Sequence, residues 1–271
     1  MSITKRLDEA RRAFENKDLE ASRAAHSPKV IAQAMERHGG TGAQYVGDMV
    51  YGGLDGIVTT FAVVSGVAGA ELGAGIVLIL GLANLFADGL SMATGAYLSS
   101  KSQREYYDRE RQREAWEVKH FPEGERAELV EIYKGKGYSP EDASRLAAIQ
   151  SQDEALWVDA MMVQELGLLP DDRTPLLTAA ATLSAFVVAG SLPLLVYLLG
   201  LVVPVDPALA FPTSLVLSGV ALFALGAAKV LVTERNWFRS GLEMLVVGGL
   251  AAGVAYLIGF LLQGLGSGTL P

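Results

Sequence analysis

Asn84, Asp88 and Met92 stand four residues apart inside the otherwise apolar stretch "NLFADGLSMATGAYLSSK". That spacing puts all three on one face of a helix. Upstream, "AQYVGDMVYGGLDGIVTTFAVVSGVAG" carries Asp48 and Asp55 seven residues apart. These two also share a face, roughly 10 Å apart along the axis at the rise of an α-helix. Gly52, Gly53 and Gly56 lie between or beside them and make a thin helix that a neighbour can approach. In a bilayer, a charge at mid-depth costs about 2.5–3.5 kcal/mol on insertion scales, so acids there are rare unless they carry ions or protons. Neither stretch holds a Lys or Arg beside Asp55 or Asp88, and Lys229 is the sole candidate partner. Asp48 lies nearer the boundary, where simple contact with water accounts for it equally well. A carboxylate beside a thioether suits a borderline dication such as Fe2+ or Mn2+, whereas Mg2+ or Ca2+ takes oxygens alone and Cu(I) takes more sulfur. Carboxylates can also take up protons as a metal leaves, which is a means of proton coupling.

A second set of candidates lies in 99–174, which holds 17 Asp/Glu and 11 Lys/Arg. In "QREYYDRERQREAWEVKH", Glu110, Glu114 and Glu117 form one acidic stripe at i, i+4 and i+7. After a break at "FPEG", Glu125, Glu128 and Glu131 repeat every third residue along a short helix. "KGKGYSPED" then opens a long helix expected to run to "WVDAMMVQELG", with Met161, Met162 and Glu165 clustered on it. Some of the Glu-x-x-Glu pairs lack a basic residue at compensating spacing. The residues alone leave two readings open, a solvated helical bundle or a metal-binding domain. Glu117-x-x-His120 is half of a ferritin-like di-iron motif, but no second such pair accompanies His26 or His38, so an oxidase is poorly supported.

These residues need elements to hold them. A helix needs about 20 apolar residues to cross a bilayer; 44–67, 73–98, 176–202, 212–233 and 241–265 each qualify. All 22 Lys/Arg fall on alternate connections: eight before residue 44, eleven in 99–174, and Lys229, Arg235 and Arg239. Positive loops stay on the cytoplasmic side, which predicts an inside N-terminus and insert and an outside C-terminus. Soluble folds have no reason to sort their basic residues this way. The predicted fold is all-α: five membrane helices with a cytoplasmic helical insert between spans two and three. Its layout is an N-terminal arm 1–43, spans one and two in 44–98, the insert 99–174, and spans three to five in 175–271. The arm shows no apolar targeting core, so the first span is expected to serve as its own signal. Spans three to five read as scaffold, with a kink at Pro193 and close packing at Gly248, Gly249 and Gly253. The absence of Cys rules out disulfides, thiolate metal sites and a cysteine nucleophile.

Over 44–265 the chain resembles the vacuolar iron transporter family, in its prokaryotic type. "YGGLDGIVTTFAVVSG", "ADGLSMATGAYLSSKSQ" and "DAMMVQELG" carry the resemblance, together with the five-span layout. It implies a homodimer with a pore between protomers that moves Fe2+ out of the cytosol in exchange for protons; the mixed donor set adds Mn2+ as a further expected cargo. It also implies that Asp55 and Met92 line the pathway. In the insert it implies metal binding by Glu114, Glu117, Glu125, Glu128, Met161, Met162 and Glu165. Asp48 and Asp88 are candidate proton relays on physical cost alone, and the role of Asn84 is open. The expected protein is not an enzyme. It has no prosthetic group, binds Fe2+ (or Mn2+ or Zn2+) as its transported ion, has lipid and no nucleic acid as partners, and sits in a prokaryotic plasma membrane or a vacuolar-type membrane. The competing reading is a membrane-anchored iron sensor or buffer that binds metal through the insert without transport.

Overall fold

A computed structural model describes residues 3–33, 43–228 and 236–263. Among these residues every regular element is helical. Five of the helices are long and apolar enough to cross a membrane, as the hydropathy pattern predicts. The chain divides into two compact units, one of residues 1–89 and 181–271 and the other of 90–180.

The first unit opens with α1 (Ile3–Glu15), α2 (Leu19–Ala25) and α3 (Pro28–Gln33). The Asp18 side chain caps α2 by accepting from the amides of Glu20 and Ala21, and Ala13 and Ala25 are buried where α1 meets α2. A short 3-10 turn (Ala43–Tyr45) leads into α4 (Val46–Gly69), the first span. α4 lies against α11 (Pro207–Ala228) and α12 (Trp237–Leu261), around a core of Ile57, Phe61, Leu222 and Ala252. Glycines set how close these helices come. A Cβ on Gly56 would stand 2.4 Å from the Phe186 carbonyl oxygen, and one on Gly259 would stand 2.0 Å from that of Gly66. Of the three glycines expected to pack closely in the last span, only Gly248 does so, beneath Leu222; nothing among the described residues lies over Gly249 or Gly253.

The third span is α9 (Pro175–Gly190) followed by a 3-10 turn at Leu192–Leu194 and α10 (Leu195–Leu199), so Pro193 interrupts the helix where a kink was expected. The buried Ser214 hydroxyl donates to the Pro193 carbonyl at 2.6 Å. That bond satisfies a backbone acceptor left over by the interruption. Spans four and five begin four or five residues earlier than their apolar runs. Asp206 and Asn236 start them by accepting from the amides of Ala208 and of Phe238 and Arg239. Hydropathy marks where a helix can face lipid, and a polar cap marks where it begins.

The second span and the start of the insert form one unbroken helix, α5 (Ala74–His120). Its apolar stretch ends at Leu98, and the charged residues from Lys101 onward continue without a break. In the second unit α5 is followed by α6 (Pro122–Gly135), α7 (Pro140–Gln150) and α8 (Glu154–Gln164). The single long helix expected from "KGKGYSPED" to "WVDAMMVQELG" is instead two. Ser151 ends α7, and the Asp153 carboxylate accepts from the Leu156 amide to start α8. An aspartate that caps in this way competes with the continuing helix. The core of the unit is Val118, Leu129, Tyr133, Ala143, Ala147, Trp157, Val158, Met161 and Met162.

Candidate metal centre

Three carboxylates of the second unit converge from three elements. Glu114 comes from the charged half of α5, Glu125 from the first turn of α6, and Glu165 from the residue that ends α8. One oxygen from each lies within 4.8 Å of the other two. Gly167 helps to fix the last of them. Its backbone is left-handed at φ 65°, a conformation that suits glycine at a helix end. The chain turns there, with the Leu168 amide bonded to the Met162 carbonyl at 2.8 Å.

Glu114 is fully buried and Glu125 nearly so, while Glu165 is exposed. Among the described residues, neither oxygen of Glu114 has a hydrogen-bond donor, and Oε2 of Glu125 has none. Burying acids in this way disfavours their charged form. Burial first, and then the neighbouring carboxylates, pushes Glu114 and Glu125 up to about 7. Burial and the nearby Glu128 also raise Glu165. Glu117 and Glu128 are more exposed, yet both are close enough to act on this set electrostatically. Five of the seven metal-binding positions expected in the insert therefore form one electrostatic cluster. The other two, Met161 and Met162, are fully buried in the hydrophobic core of the same unit. Buried oxygens left without a hydrogen bond, carrying protons that they can give up near neutral pH, are suited to a dication.

Arg113 was missed as a member of this cluster, and it changes one inference from spacing. The Glu114/Glu117 pair does have a compensating base, because the Arg113 guanidinium contacts both. Its position one residue before Glu114 and four before Glu117 was the available signal. Arg111, on the same helix, pairs with Asp159 on α8 and ties these two elements together. His120 stacks on Trp116 and bonds its carbonyl through Nδ1.

In the first unit, Asp55 on α4 and Asp88 on α5 are half-buried and within electrostatic reach of each other. Gly52 and Gly56 flank Asp55 on the side packed against the third span, where added Cβ atoms would meet the carbonyls of Thr182 and Phe186. Asp48 occupies the first turn of α4, where a carboxylate also favours the helix dipole. The amide nitrogen of Asn84 is buried without a hydrogen-bond partner among the described residues. Met92 is half-buried on α5, one turn beyond Asp88, and belongs to the second unit. Lys229, the sole partner foreseen for the membrane acids, lies outside the described residues, as does His38.

The sequence model of the VIT family matches residues 46–260. The chain is 40% identical to a vacuolar iron transporter of Toxoplasma gondii, over 95% of this chain and 88% of that protein. It is 32% identical to one of Plasmodium falciparum over 96% and 98% of the two chains. Vacuolar iron transporter 1 of Arabidopsis thaliana is 35% identical over 82% of this chain and 88% of its own. All three relatives are eukaryotic, which gives no support to the prokaryotic type expected above.

Proposed function

This chain belongs to the VIT family, and on that premise we propose that it transports Fe2+ across a vacuolar-type membrane, out of the cytosol and in exchange for protons. Mn2+ is its second cargo. The insert faces the cytosol, a placement that the distribution of basic residues supports, and captures metal at Glu114, Glu125 and Glu165. Glu117 and Glu128 complete its negative field, and Met161 and Met162 supply soft flanking sulfur. Asp55 and Met92 pass the ion through a pore between two copies of the chain. Asp88 and Asp48 take up the returning protons.

The observation that carries this reading is the convergence of Glu114, Glu125 and Glu165, the first two with buried oxygens that make no hydrogen bond among the described residues, in a chain that also holds two neighbouring acids on membrane-spanning helices. The names of the relatives support iron as the ion. Metal uptake into proteoliposomes, with and without a pH gradient, tests the proposal. Fe2+ should enter faster when protons can leave in exchange. Stoichiometric binding without any flux would instead identify a membrane-anchored sensor or buffer.

A further inference from the structure

The carboxylate cluster contains a cation of its own. Arg113 directly precedes Glu114, and a different acid engages each of its three side-chain nitrogens. Nε donates to Glu110 Oε2 at 3.0 Å, and Nη1 donates to Glu117 Oε2 at 2.6 Å. Nη2 lies 2.6 Å from Glu114 Oε1, an ionic contact without hydrogen-bond geometry. Glu110 is held on its other oxygen by Arg109, at 2.6 and 3.1 Å. It stands one turn before Glu114 and outside the three converging carboxylates.

A guanidinium and a dication compete here for the same lone pairs. We propose that Arg113 is the resident counter-cation of the metal centre. An incoming metal must displace it from Glu114 and Glu117, and Glu110 keeps it beside the site while it gives way. Two observations favour displacement over a fixed structural role. The contact with Glu114, the most buried of the acids, is the one without hydrogen-bond geometry. The Arg113 side chain is also 42% exposed, so it has room to move. The inference deepens the reading of the insert as a metal centre and rests on it. A transporter must bind its ion well enough to collect it and weakly enough to release it. A tethered cation holds affinity down and neutralises the acids again as the metal departs.

The test is equilibrium titration of the full-length protein in detergent with Mn2+ alone at pH 8, reading free Mn2+ by its electron paramagnetic resonance signal. Arg113→Gln should bind about tenfold more tightly, the order expected on removing a full charge about 5 Å from a dication under near-aqueous screening. Arg113→Lys keeps the charge but engages fewer acids at once, and should tighten binding about threefold. Arg145→Gln removes an equal charge from an exposed position on α7 and should stay within about twofold of the parent, since such charges are screened. Unchanged or weaker binding by both Arg113 variants, with Glu114→Gln still impaired, would overturn the counter-cation role and leave the metal centre standing. If Glu114→Gln binds Mn2+ as the parent does, the metal centre falls and the inference with it.

Discussion

The acids of the two units are held in opposite ways. Asp55 and Asp88 project from two long apolar helices, half-buried, and neither has an ion pair among the described residues. Glu114, Glu125 and Glu165 are drawn together from three helices over a packed core, with Arg113 as a counter-charge. A lone carboxylate in an apolar helix offers an ion little beyond its charge, so it suits passage. A cluster of buried oxygens from several elements offers a coordination shell, so it suits capture. On the proposed function, the same side-chain chemistry would serve two purposes according to how many elements converge on it.

Substitutions that strike one region and spare the other can break this contrast. The largest effect is expected from Glu114→Gln, which should weaken Mn2+ binding by about 100-fold, at least the loss known for groups that only support a metal's ligands; calorimetric titration reads it. Gly56→Ala attacks the membrane unit instead. Its new methyl would meet the Phe186 carbonyl, and overpacking of this kind costs about 1–3 kcal/mol. Thermal unfolding should show a lower midpoint, with Gly249→Ala as the control at an open position. Acidification should weaken binding at the insert. Glu114 and Glu125 are pushed up to about 7, so below that pH protons occupy the oxygens the metal needs. Mn2+ affinity should then fall by about tenfold per pH unit for each proton displaced, and titrations at pH 6 and pH 8 check it. The smallest change is expected from Met162→Leu. It nearly conserves volume and should cost under about 1.5 kcal/mol of stability, while lowering anaerobic Fe2+ affinity by about threefold through the lost thioether.

The membrane helices were legible because their signal is local. Twenty apolar residues and the sorting of basic residues fix a span without reference to any distant part of the chain, and an acid within one stands out by its cost. Helix starts were less legible, since Asp206 and Asn236 lie outside the apolar runs they initiate. The insert was harder still. Its charge pattern fits a solvated bundle as well as a binding site, and only the packing of α5, α6 and α8 distinguishes Glu114 from Glu110. Family resemblance supplied the identities of the expected ligands. It supplied neither the Asp153 cap that splits the expected long helix nor the fork of Arg113 across three acids, both of which depend on side-chain direction.

The most direct test of the division between capture and passage is Asp55→Asn, assayed for binding and for flux on the same preparation. The account predicts Mn2+ binding at the insert within about twofold of the parent, because the substitution removes no oxygen from the cluster, together with proteoliposome uptake reduced to the protein-free background. Undiminished uptake by Asp55→Asn would contradict it.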